Sequence, residues 1–265
     1  MQQLWIDAHC HLTQRFHPAP LPGVLAGLAA ASCGAIILGG VDPKDWQEQL
    51  EIPKSSVQIV PVFGLHPWTV QEQDSEFLRQ GLVRLEQMLP EAAGLGECGL
   101  DYFRCKSSAE RQKQSYWFEA QLQLAAQQHK PCVFHIVRAH HEALRCLKPY
   151  AARLRGLVHS FWANSQTAHA WLDLGFVLSI HPRILRGDTH HMLRDLPRDR
   201  IVFESDSPEI LQDGSVSDPR LALQILQHAS RIWGEDLDTT IIRQNNTLRA
   251  LFPGLQPASL PSIQS

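Results

Sequence analysis

Eight short apolar runs, each followed by a stretch long enough for a helix, constrain this chain more than any other feature. They cover residues 4–8, 35–39, 57–63, 92–96, 132–134, 156–158, 176–180 and 201–203. The runs are rich in Val and Ile, and strands covered on both faces of a parallel sheet read as such runs. Between them lie segments with helical spacing, such as Leu78, Leu82, Leu85 and Leu89, or Phe118, Leu122 and Ala125. Gly or Pro marks most joints. The alternation predicts an α/β protein, a single (β/α)8 TIM-type barrel, with a doubly wound open sheet as the competing topology. A length of 265 residues would also suit two smaller domains, but no linker or break in composition divides the chain. The expected organisation is one barrel over residues 1–256 and a loose Pro/Ser-rich tail over 257–265.

Composition narrows the function classes. With 44% hydrophobic residues the chain can bury a large core, and disorder is excluded. A formal net charge of -3 means that any nucleic-acid contact must be local. The start, Met-Gln-Gln-Leu-Trp-Ile-Asp-Ala-His, lacks a basic region leading into an apolar stretch, and no later run approaches the roughly 18 apolar residues of a membrane span. A cytoplasmic address is expected. The six cysteines form no C-x-x-C pair and read as reduced thiols. Histidine is the unusual count, at 14, and it is the commonest metal ligand.

The residues just beyond each apolar run are more informative than the runs themselves. The first run leads into Asp7-Ala8-His9-Cys10-His11, the third into Gly64-Leu65-His66-Pro67, and the fourth into Glu97-Cys98-Gly99-Leu100-Asp101. The fifth reaches His135, the sixth His159, and the eighth Glu204-Ser205-Asp206-Ser207-Pro208. In a parallel barrel all of these converge on one mouth. His9 and His11 are one residue apart, so strand alternation turns both toward a common point. Buried strand ends seldom hold free carboxylates, and a cation would resolve Glu97 and Asp206 together. Four imidazoles and two carboxylates exceed what one tetrahedral zinc needs. With a bridging carboxylate they suit two divalent ions about 3.5–4 Å apart. The mixed nitrogen and oxygen donors favour Zn or Mn, with Mg possible if waters complete its shell.

These stretches, in this order, resemble the TatD family of metal-dependent deoxyribonucleases, within the amidohydrolase-like barrels. The match runs through Asp7 to Leu12, Gly64 to Pro67, Gly96 to Tyr102, His159-Ser160-Phe161, Glu204 to Pro208 and Asn246 to Phe252, nearly the whole chain. The resemblance implies that His9, His11 and Asp206 hold one metal, that His135 and His159 hold the second, and that Glu97 bridges. It also implies that Asp206 is the base for the attacking water and that His66 contacts the scissile phosphate, making Asp206, Glu97 and His66 the catalytic set. The implied reaction is 3'-5' exonucleolytic cleavage of DNA phosphodiesters by a water activated between two metals. Related amidohydrolases often bridge their metals with a carbamylated Lys at the fourth strand, where this chain has Glu97. The chain departs from the family at Trp162-Ala163-Asn164, at Val137 before Arg138, and across residues 209–219.

Basic residues cluster in loops expected to rim the mouth: Arg104 and Lys106, Arg138, Arg183 and Arg186. Arg104, Arg138 and Arg183, with His66, are the candidate substrate contacts for single-stranded or frayed DNA. Tyr102, Phe103, Phe161 and Trp162 lie near them and are candidates to stack on a frayed base or to pack over the barrel. His17, His129, His140, His141, His169, His190, His191 and His228 read as surface residues, and His181 as intermediate beside Pro182. Cys10 and Cys98 read as small packing residues, and Asn246-Thr247 as part of a structural helix. The altered loop after Pro208 keeps two alternatives open on the same metal centre: a D-aminoacyl-tRNA deacylase, or an amidohydrolase or lactonase acting on a small molecule. A barrel that binds without turnover is the third reading, disfavoured by the complete ligand set.

Overall fold

Every apolar run forms a parallel strand. The structure is a computed structural model that describes residues 3–186, 190–208 and 216–256. In chain order the strands are β1 (Trp5–Cys10), β2 (Cys33–Leu38), β3 (Gln58–Val60), β4 (Val62–Phe63), β5 (Gly94–Asp101), β6 (Cys132–Val137), β7 (Gly156–Phe161), β8 (Val177–Ile180) and β9 (Ile201–Phe203). The third run is split because Pro61 has no N–H to give a neighbouring strand. β1, β2 and β3 pair in that order, and β4 to β9 continue in chain order. Between or after them run α1 (Leu21–Ala30), α2 (Pro43–Leu50), α3 (Pro67–Glu72), α4 (Ser75–Met88), α5 (Ser108–Gln128), α6 (His140–Leu147), α7 (Ser165–Asp173), α8 (His190–Asp195), α9 (Leu221–Trp233) and α10 (Leu237–Leu251). Local chemistry sets their starts. Asp42 accepts the N–H groups of Lys44 and Asp45 ahead of α2, and Ser107 and Glu110 cap α5 reciprocally.

The sheet closes on itself, which excludes the open doubly wound alternative and leaves the TIM-type barrel. The Asp206 N–H donates to His9 O at 3.0 Å and the His11 N–H to Ser207 O at 2.6 Å, joining the ends of β1 and β9. Asp7 adds a side-chain clasp, accepting the Ser205 N–H at 2.9 Å and the Ser205 hydroxyl at 2.6 Å. Lower down, Gln244 on α10 accepts the Phe203 N–H at 2.7 Å and donates to Ile6 O at 2.6 Å, while Asn245 donates to Leu4 O at 2.8 Å. The neighbours of Asn246-Thr247 are thus structural. Substituting Gln244→Ala takes this partner from the buried Phe203 N–H, Phe203 carbonyl and Ile6 carbonyl and is expected to cost about 2–4 kcal/mol in urea unfolding. A loss below about 1 kcal/mol would mean that closure does not depend on this side chain.

Alternation divides the core. Ile6, Ala8, Ala35, Ile37, Val60, Val62, Val133, Leu157, Val177 and Val202 form an inner cluster, with Leu248, Leu251, Phe252 and Leu255. Most of these strand residues lie early in their strands, so the end of α10 and the segment after it plug the N-terminal mouth of the barrel. Gln58 pins that segment, donating to Gly254 O at 2.9 Å and accepting the Gln256 N–H at 2.9 Å. The other mouth is left for chemistry. The expected tail, 257–265, lies outside the described residues. Among the described residues no helix is long and apolar enough to cross a membrane.

Strand limits differ from the apolar runs at this working mouth. β1, β5, β6 and β7 continue through His9, Glu97, His135 and His159. Hydrophobicity stops where side chains turn to a polar cavity, but parallel backbone pairing does not. His135 is paired in register with His159.

Candidate metal centre

Backbone geometry aims each donor. In β5, Gly96 pairs with Val133 and Cys98 with Phe134, so Glu97 is an extra residue between two paired neighbours. A bulge of this kind re-aims a side chain. The Glu97 N–H donates instead to Gly40 O at 2.9 Å. Gly96 has φ +154°, and a Cβ there would lie 2.4 Å from Val133 O, so glycine is required at the bulge. Gly39, just past β2, is needed for space: a Cβ would lie 2.4 Å from His9 Cε1, 2.6 Å from Glu97 Oε1 and 2.8 Å from His11 Cε1.

The structure brings His9, His11, His66, Glu97, His135, His159 and Asp206 together. Glu97 Oε1 lies 3.6 Å from His9 Nε2 and 3.2 Å from His11 Nε2. Its Oε2 lies 2.7 Å from His159 Nε2, 3.4 Å from His135 Nδ1 and 3.8 Å from His66 Nε2. Asp206 Oδ1 lies 3.8 Å from His9 Nε2. Donor atoms within 4.8 Å of one another occur in the groups His9, His11, Asp206; His9, Glu97, His159; His66, Glu97, His135; and His159, Glu204, Asp206. They open on a cavity of about 370 Å³ whose wall also includes Phe16, Val41, Trp68 and Pro208.

These residues fit divalent cations. Both oxygens of Glu97 and both ring nitrogens of His9 are buried without a directed hydrogen bond, a costly arrangement unless a cation gathers them. Burial alone would push the Glu97 carboxyl up, but the neighbouring imidazoles, His159 foremost, hold it well below the usual range. His159 shows the complementary shift: burial opposes its charge, yet Glu97 and Glu204 raise it well above an ordinary imidazole.

Two carboxylates behind the donors orient them. Glu204 Oε1 faces His159 Nδ1 at 3.5 Å and accepts the Ser160 N–H at 2.5 Å. Asp101 Oδ2 faces His135 Nε2 at 3.5 Å and accepts the Trp68 indole N–H at 2.7 Å. Although burial opposes it, hydrogen bonding from His135 and Trp68 lowers the Asp101 carboxyl to about 2. Each holds one ring nitrogen of a histidine and leaves the other turned to Glu97, the usual second layer of a metal site.

His66 is differently placed. Its Nδ1 accepts the Trp68 backbone N–H at 3.1 Å as the cap of α3. With Nδ1 an acceptor, the neutral ring carries its proton on Nε2, which lies 3.3 Å from His135 Nδ1 and 3.8 Å from Glu97 Oε2. Burial, then His135, lowers its basicity well below the ordinary value. His181 follows the same pattern: Nδ1 accepts the Arg183 N–H at 3.0 Å and Nε2 lies 3.9 Å from Asp206 Oδ2.

Among the described residues, the expected rim arginines Arg104, Arg138 and Arg183 do not line the cavity. Arg104 lies 4.4 Å over the Trp68 ring and pairs with Glu72 at 3.5 Å. Arg138, with φ +53°, lies 4.6 Å over Phe103. Arg183 and Lys106 are exposed, and the side chain of Arg186 and residues 209–215 lie outside the described residues. Among the aromatic candidates Phe161 is buried in the core and Tyr102 bonds Ser115, whereas Phe103 and Trp162 are exposed. Two surface assignments need correction. His17 is buried and accepts the Ala19 N–H, and His140, tucked under α7, accepts the Trp171 indole N–H and is lowered by burial to about 4. Sequence position gave no hint of either, because His140 opens α6 and His17 stands seven residues past β1, neither at the strand-end positions that carry the donors. His141, His129 and His169 are exposed and His228 is half-buried; the side chains of His190 and His191 lie outside the described residues. Cys10 and Cys98 are buried, and burial raises both thiols.

Sequence reasoning overlooked Gly39, Trp68 and the orienting roles of Asp101 and Glu204. Glu204 was within reach, since it precedes Asp206 by two; Gly39 and Trp68 carried no signal of their own.

The TatD related DNase family model matches residues 6–253. An uncharacterized metal-dependent hydrolase of Escherichia coli K12, YjjV, is 26% identical over 220 residues, 81% of this chain and 83% of that protein. A 3'-5' ssDNA/RNA exonuclease TatD of Pantoea vagans is 30% identical over 201 residues, 71% of this chain and 76% of that one. The crystal structure of E. coli YjjV superposes with a TM-score of 0.81 at 24% identity, over 94% of this chain and 98% of that one. A TatD family hydrolase of Entamoeba histolytica gives 0.83 at 18% identity, over 95% and 99%.

Proposed function

Because the chain belongs to the TatD related DNase family and is a metal-dependent hydrolase acting on ester bonds, we propose that it removes nucleotides from the 3' end of single-stranded or frayed DNA, using two divalent ions. One observation carries this reading: Glu97 directs Oε1 at His9 and His11 and Oε2 at His135 and His159. A carboxylate shared between two sets of imidazoles supports a bridging role. His9, His11 and Asp206 would hold one ion, and His135 and His159 the other. Zn, Mn or Mg, when bound, would act as Lewis acids toward the phosphoryl group and ease deprotonation of water.

The chain's own groups do the rest. Hydrolysis forms a P–O bond to water and breaks the P–O3' bond. Asp206, partly exposed at the cavity wall, takes the proton released by the water, and the departing oxygen takes one from solvent. His66 Nε2–H donates to a non-bridging phosphoryl oxygen, where negative charge grows in the transition state. It keeps this role only while Trp68 holds its Nδ1.

The test uses single-stranded DNA labelled at either end, with acyl esters in parallel. Cleavage from the 3' end is expected to fall at least about 100-fold on chelation and to return with Mn, Mg or Zn added singly. Robust ester cleavage without DNA cleavage in every metal would transfer the protein to the deacylase or amidohydrolase reading.

A further inference from the structure

We infer that Trp68 is the platform on which the terminal base of the substrate stacks, a subsite that rests on the nucleic-acid reading above. Trp68 belongs to the cavity wall and yet is 44% exposed. An indole fixed beside a polar cavity with so much surface uncovered leaves part of its apolar body available to a ligand. Its polar edge is already occupied, since Nε1–H donates to Asp101 Oδ2 at 2.7 Å. The ring is held from two further directions: Arg104 lies 4.4 Å over it, and the His66 ring meets it at 4.9 Å and 78°. Little side-chain freedom is left to lose when a ligand arrives.

The chemistry of the unmet surface selects the ligand. Every nucleobase has a π-face, and stacking on an aromatic side chain tolerates any base. Trp68 adjoins His66, the proposed phosphate donor, so a base stacked on it belongs to the nucleotide whose phosphate is at the metal centre. A cavity of about 370 Å³ is at the small end of ligand sites, which suits one terminal nucleotide. Among the described residues the wall supplies no side chain beyond the ligand set and His66 that would read a base edge, and stacking by itself does not distinguish one base from another.

Trp68 also touches Asp101 and hence His135, so a loss of activity on its own would not separate stacking from positioning. The separating readout is a substrate pair. Metal-loaded protein is given two oligothymidylates that differ only at the 3' nucleoside, thymidine or an abasic deoxyribose, and kcat/KM is measured for each with metal content per chain. The wild type is expected to prefer the thymidine end about ten-fold or more. In Trp68→Ala that preference falls to near unity, whereas Trp68→Phe keeps most of it. A purely positioning role would lower both substrates equally and leave the preference intact, and that result overturns the subsite. So does a wild type that shows no preference. If the wild type cleaves neither end, the nuclease reading itself fails and the subsite with it.

Discussion

Glu97→Gln is expected to remove bound metal and hydrolysis together, with kcat lower by about a thousand-fold or more, roughly 4 kcal/mol of transition-state stabilisation. The substitution preserves shape and changes only charge and donors. Glu97 presents one oxygen to His9 and His11 and the other to His135, His159 and His66. An amide keeps one acceptor and turns an NH2 toward the other set of imidazoles, whose lone pairs a metal would need. Neither side then retains a shared anion. Elemental analysis and single-turnover kinetics on the same preparation check this, with circular dichroism showing that the barrel is retained. An E97Q protein that kept wild-type metal content would remove the bridging role.

Gly39→Ala is expected to damage the same centre without touching a donor. The new methyl would lie 2.4 to 2.8 Å from His9, Glu97 and His11. The backbone at Gly39 cannot retreat easily, because its N–H donates to Cys10 O at 3.0 Å and its carbonyl accepts from Gln49 Nε2 at 3.0 Å. The three side chains must move instead. Displacing groups by about 1 Å costs on the order of 100-fold in rate, and overpacking costs about 1–3 kcal/mol in stability. Metal affinity, kcat and urea midpoint are the measurements. Wild-type metal binding and rate in G39A would show that the ligand cluster rearranges freely and that the close packing has no function.

Strand identity was legible because parallel strands in a barrel bury both faces, so residues such as 35–39 and 201–203 are uninterrupted apolar runs. Their ends were less legible. His135 and His159 interrupt the apolar runs, but backbone pairing continues past them to Val137 and Phe161. The ligand-type residues could be found because histidines and carboxylates are rare at such positions. Their orientation could not. Whether His66 donates or ligates is set by the N–H of Trp68, and whether Glu97 faces inward is set by a bulge beside Gly96. Arg104 and Arg138, expected at the rim from their place in the chain, each rest on an aromatic ring, and charge in a loop carries no information on that.

The amino-acid sequence by itself determined the α/β barrel and the set of metal-type donors at its mouth, since periodicity and strand-end chemistry are local properties of the chain. Only the tertiary structure decided how the donors divide about Glu97, which ring nitrogen each histidine turns inward, and that Gly39 and Trp68 belong to the site. Those depend on register, a bulge and close packing between segments far apart in the chain, and such contacts leave no periodic trace in any one of them.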